Sequence, residues 1–191
     1  MLRLITAILI MMTCFSNTAR SSSLDLDVVA PFDAELKYPF TKEASVGCGR
    51  WGKGSQDYPY FAAPRNKGRR RHAGVDLYPA GGAGTVVVAM RGGVVTRVAP
   101  FYRRANGEMT YAVLVDHGDF SINYAELKRP GLHPGTEVKQ GQPLGQISGT
   151  RQLHLEMYAG GAKTWTSGWY GAKPGNLLDP TSLLLQLYQH P

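Results

Sequence analysis

Two short runs carry residue types that could share a metal ion: Arg71-His72-Ala73-Gly74-Val75-Asp76 and Gln152-Leu153-His154-Leu155-Glu156. Imidazole nitrogen and carboxylate oxygen are ordinary zinc ligands, and each must approach the ion to about 2 Å. His72 and Asp76 are four apart, as on one face of a helix, but Gly74 and nearby Pro79 argue against helix there. In a flat strand the same spacing separates them by about 13 Å, so a shared ion requires a bend, and Gly74 is where the chain can make it. The second run alternates as a strand does, placing Gln152, His154 and Glu156 on one face. His154 could then complete a two-histidine, one-carboxylate set with an open fourth position, the composition of catalytic rather than structural zinc. Taken singly, each run also fits an ordinary hydrogen-bonded histidine. Glu156 fits either support for His154 or a solvated strand charge.

The segments around these runs read as short strands. Turn signals recur at Asn66-Lys67-Gly68 and Gly81-Gly82-Ala83-Gly84, with the apolar runs Thr85–Met90, Gly93–Ala99, Tyr111–Val115 and Phe120–Ala125 following. Asp116-His117-Gly118-Asp119 is the best hairpin turn, and residues 135–147 fit further short strands between glycine turns. Asp179-Pro180 opens a short helical turn over 180–187, as an N-cap followed by a first-turn proline. The expected fold is mainly β: a small antiparallel sheet domain with a short C-terminal helical turn.

At 191 residues, with 43% hydrophobic and 18% charged residues, the chain suits one globular domain. Its 23 glycines and 12 prolines suit turns rather than a helical bundle. Residues 1–19 read as a signal peptide: Arg3, an apolar stretch from Leu4 to Cys14, then small residues. That stretch is too short for a membrane span, so no stable span is expected after cleavage. A polar lead-in over 20–45 and a domain over 46–187 follow. Cys14 leaves with the leader, so Cys48 has no intrachain partner and no disulfide framework is expected. The net charge of +7 would suit nucleic acid, acidic lipid or an anionic wall polymer. A secreted or periplasmic destination removes nucleic acid from that set.

The motifs together resemble the lysostaphin/LytM-type zinc endopeptidases. The run GRRRHAGVDLYPAGGAGTVVVAMRGGVV is similar to that family's first metal motif with its following strands. LVDHGDFSINYAEL resembles its hairpin ending in Y-x-H-L, VKQGQPLGQISG its V-x-x-G-Q-x-I-G stretch, and QLHLEMY its H-x-H-[FL]-E motif. The resemblance runs from about Val46 to Leu184, in the family's order and spacing. It implies a two-layered antiparallel β domain with a metal-binding groove. It further implies Zn2+ held by His72, Asp76 and His154, and peptidoglycan as the substrate, cut in its peptide stems or cross-bridges.

Two positions depart from the pattern. Glu126 stands where the family has the histidine of Y-x-H-L, and Gln152 where it has the first histidine of H-x-H. In one reading Glu126 is the general base and Gln152 donates to the developing oxyanion. In the other, the domain is an inactive module that binds cell wall or regulates another cell-wall hydrolase. His117, His133 and His190 are assigned no metal role. The basic run Arg69-Arg70-Arg71 fits either a solvated loop or a lure for anionic polymer. Trp165, Trp169 and Tyr170 fit core packing better than a binding wall.

Overall fold

The computed structural model describes residue 39 and residues 59–189, with side chains to 187 in the terminal helix. The leader over 1–19, the lead-in over 20–45 apart from residue 39, the start of the domain at 46, Cys14, Cys48 and His190 lie outside the described residues.

As the alternating runs predict, the fold is mainly antiparallel β. Its frame is a seven-stranded sheet. β5 (Gly93–Arg103), β6 (Met109–Asp116) and β7 (Phe120–Leu127) form a meander, and β10 (Leu153–Ala159) pairs with β7. The other edge of β10 is shared by β3 (Val75–Leu77) and β12 (Leu177–Leu178), and β8 (Glu137–Val138) closes the sheet beside β5. The Asp116–Asp119 segment makes the expected hairpin, with the His117 amide donating to the Phe120 carbonyl. A small sheet of β1 (Pro64–Arg65), β2 (Arg70–His72) and β11 (Gly168–Trp169) lies apart, as does the pair β4 (Val86–Val88) and β9 (Pro143–Gln146).

Alternation sorts the large sheet into two faces. Val113, Val115, Ile122, Tyr124, Leu155 and Met157 belong to the main core, with Val87 of β4, Leu144 of β9 and three leucines of α1 (Thr181–Gln189). Burying each such side chain contributes about 1.5–3 kcal/mol. Asp179 caps α1: its Oδ1 accepts from the Thr181 amide at 2.9 Å, and Pro180 follows it as the sequence predicts. The opposite face carries Ala112, Leu114, Asn123, Ala125, His154 and Glu156, whose registers align in adjacent rows. This is the face that holds the polar site.

Two departures from regular strand position that site. β2 and β3 belong to different sheets, and Gly74 lies in the corner between them. A Cβ at Gly74 would stand 2.2 Å from the Leu155 carbonyl oxygen, so only glycine lets this corner press against β10. Glu126 is the extra residue of a β-bulge: Tyr111 pairs with Leu127 and Ala112 with Ala125, and φ of Glu126 is +68°. Strict alternation would send Glu126 into the apolar core beside Tyr124. The bulge turns it to the other side and leaves Leu127 in the core.

Candidate metal centre

The corner at Gly74 brings His72 and Asp76 together, and the pairing of β3 with β10 sets Asp76 directly opposite His154. His72 Nε2, Asp76 Oδ1 and His154 Nδ1 form a triangle with edges of 2.9, 2.9 and 3.2 Å. Ligand atoms around a tetrahedral zinc at about 2.0–2.1 Å stand roughly 3.3 Å apart, so the triangle is close to one face of that tetrahedron.

The outer hydrogen bonds test whether the donors suit a cation. His72 Nδ1 lies 2.9 Å from the Tyr60 carbonyl oxygen, which can only accept, so Nδ1 carries the proton and the Nε2 lone pair faces inward. His154 Nε2 lies 2.8 Å from Glu156 Oε1 and donates to it in the same way. Arg65 Nη2 donates to Asp76 Oδ2 at 3.2 Å, which leaves Oδ1 for the triangle. Three electron-rich atoms thus converge on one point, and the residues present fit a metal ion.

The electrostatics agree. Burial works to raise the Asp76 pKa, but hydrogen bonds from His154 and His72 outweigh it and hold the carboxyl well below its usual range. Burial alone would push His154 down, yet the carboxylates of Asp76 and Glu156 outweigh burial and raise it to about 10. Burial dominates at His72 and lowers its pKa. The triangle therefore favours a positive charge at its centre, whether a proton or a metal ion.

Glu156 is completely buried, so the solvated-charge expectation does not hold. Besides His154 it accepts from the Tyr158 hydroxyl and from the Thr166 and Ser167 amides. Burial works to raise its pKa and these partners, His154 first, lower it.

The triangle opens into a cleft of about 560 Å³. Glu126 and Gln152 line it beside His72, Asp76 and His154, so all five residues singled out in the sequence meet here. Gln152 Nε2 donates to Glu126 Oε1 at 3.0 Å, while Glu126 Oε2 is buried without a hydrogen-bond partner among the described residues. Burial raises the Glu126 pKa. Phe101 packs on the His154 ring at 5.4 Å, and Tyr102 beside it has its phenol pushed up to about 12, mainly by burial.

Two further histidines among the described residues take no part in the triangle. His117 is buried and bonded to Gly92 O and the Tyr124 hydroxyl, and His133 lies in a loop. Trp169 packs against Phe61 in a small second cluster, Trp165 lies under the Arg97 guanidinium, and Tyr170 is exposed. Arg70 and Arg71 belong to strand β2 rather than a loop, and Arg70 lines the cleft.

Sequence reasoning did not find Arg65, Tyr60, Phe101 or Tyr102. Arg65 reaches Asp76 only because two-residue β1 pairs with β2, a contact with no local signal.

A model of the peptidase family M23 matches residues 70–165, just over half of the chain, and the chain belongs to that family. Among solved structures, the crystal structure of CbpA from L. salivarius REN is 20% identical at a TM-score of 0.50, covering 82% of this chain and 99% of that one. The catalytic domain of the antimicrobial peptidase lysostaphin from Staphylococcus simulans is 22% identical at a TM-score of 0.46, covering 68% and 90%. A zinc-containing peptidase from Vibrio cholerae is 21% identical at a TM-score of 0.46, over 64% of this chain and only 36% of its own length. No curated protein matches the chain. No helix among the described residues is long and apolar enough to cross a membrane.

Proposed function

We propose that this chain is a zinc metalloendopeptidase that hydrolyses peptide stems or cross-links of bacterial peptidoglycan. His72, Asp76 and His154 hold the metal, and the protein acts in a secreted or periplasmic setting. The observation that carries this reading is the triangle of inward-facing donor atoms, fixed from outside by Tyr60, Glu156 and Arg65 and open to a cleft. Membership of the M23 family supports it.

Zinc bound there would supply Lewis acidity, polarising a peptide carbonyl and lowering the pKa of water to about 7. Glu126 is the general base: its Oε2 accepts no hydrogen bond from the described residues, and it takes a proton from the attacking water for delivery to the leaving amine. Gln152 holds Oε1 with one amide hydrogen and has the other for the developing oxyanion. The bulge at Glu126 keeps the carboxylate on the cleft side throughout.

One observation favours a second reading, an inactive module that binds cell wall or regulates another wall hydrolase. Burial pushes Glu126 towards its neutral form, which accepts no proton. Mass spectrometry of muropeptides after incubating the zinc-loaded chain with sacculi separates the two. New stem or cross-link cleavage, lost in His154→Ala and in Glu126→Gln, supports the enzyme. A folded, zinc-loaded chain that sediments with sacculi but cuts nothing supports the module.

A further inference from the structure

Among the described residues that line the cleft, Arg70 is the cation least committed to a partner. Arg65 also lines the cleft, but its guanidinium is bonded to Asp76. Asp76 is shared with both histidines, and Glu156 is taken up by His154, Tyr158 and two amides. Among the described residues, Arg70 makes one long hydrogen bond, from Nη1 to the Ser167 carbonyl at 3.4 Å, and no ion pair. A guanidinium has five donors and a charge that cannot be titrated away, so most of its bonding capacity here is open to a ligand.

Its position is built. Gly168 on β11 lies beside it: a Cβ there would stand 2.6 Å from the Arg71 carbonyl oxygen, so glycine is needed for β11 to approach β2, and 3.0 Å from Arg70 Nη1 and 3.1 Å from Arg70 Cδ, so the same glycine leaves room for the stem. Ser167, which receives the Arg70 bond, donates its own amide to Glu156 Oε1 at 2.9 Å, and that same oxygen accepts from His154. One residue and one carboxylate therefore link Arg70 to the metal centre through a chain of hydrogen bonds. A planar donor fork that is half-buried and lacks a counter-ion is matched by a carboxylate, which accepts two parallel bonds and neutralises the charge. A peptide carbonyl does only the first, and incompletely.

We infer that Arg70 anchors a carboxylate of the peptide bound in this cleft, so that the chain selects peptides with a free carboxylate near the bond presented to the triangle over the same peptides with that carboxylate amidated. This rests on the cleft being the peptide site proposed above. The test is calorimetric titration of the full, zinc-loaded chain with the synthetic peptide Ala-Glu-Lys-Ala and with its counterpart carrying glutamine and a C-terminal amide. The expected result is at least about tenfold tighter binding of the acidic peptide, lost in Arg70→Gln and partly kept in Arg70→Lys. The wild-type preference should also shrink as salt rises from about 0.05 to 0.5 M, which needs no variant to fold. Equal affinity for the two peptides, or a preference unchanged in a folded Arg70→Gln, overturns the inference.

The readout is independent of turnover. Arg70-dependent binding by a chain that cuts no muropeptide would keep this inference and remove the enzyme. Cleavage indifferent to the carboxylate would do the reverse.

Discussion

His154 Nε2 donates to Glu156 Oε1 across 2.8 Å, and the carboxylate that receives it is completely buried. This bond sets which imidazole nitrogen faces the triangle and makes that nitrogen more basic. Glu156→Gln keeps an acceptor but removes the charge. Zinc affinity, measured by competition with a chromogenic chelator, should fall about tenfold to a hundredfold. An unchanged affinity would reduce Glu156 to a structural hub for Tyr158 and the 166–167 turn.

Gly74 gives a second test, on stability. A methyl group there meets the Leu155 carbonyl at 2.2 Å, and that oxygen is backbone held in the β3–β10–β7 ladder. Gly74→Ala should cost about 2–3 kcal/mol in denaturant unfolding and weaken zinc binding, because the corner that joins His72 to Asp76 must move. A variant of normal stability and normal zinc content would show that the corner yields more easily than its geometry implies.

His117 predicts a pH dependence away from the metal. Its buried ring is bonded to Gly92 O and to the Tyr124 hydroxyl, with Arg91 and Asp116 the charges nearest it, and burial first of all lowers its pKa to about 4. The unfolded chain, with the ordinary value of 6.5, binds the proton more readily. The stability this group contributes is therefore complete above about pH 6.5 and is lost as pH falls towards 4, by up to roughly 3 kcal/mol. Denaturant unfolding at pH 7 and at pH 4.5 should show a larger loss for the wild type than for His117→Phe. Equal losses would mean that the ring protonates at little cost.

What the sequence makes legible is local or periodic. The Asp116–Asp119 turn, the strands on either side, the Asp179-Pro180 helix start and the bend at Gly74 all announce themselves within a few residues. The pairing of His154 with Asp76 is legible only through the family's motif order, since 78 residues separate them. Glu126 escapes the alternation rule because its bulge depends on the register of β6 against β7, which no window around Tyr124-Ala125-Glu126-Leu127 contains. The burial of Glu156 escapes it too. The 166–167 turn that covers Glu156 and gives it two amides comes from a segment whose sequence reads only as loop. Arg65 and Arg70 reach the cleft through β1–β2–β11, three strands of two or three residues with too few positions to show a period.

The most direct measurement is a zinc-edge anomalous difference map from crystals of the zinc-loaded chain. The expected result is one peak about 2.0–2.2 Å from His72 Nε2, Asp76 Oδ1 and His154 Nδ1, with its fourth position open to the cleft. A peak at other residues, or one with the Glu126 carboxylate as fourth ligand, would contradict an open catalytic centre with Glu126 as its base.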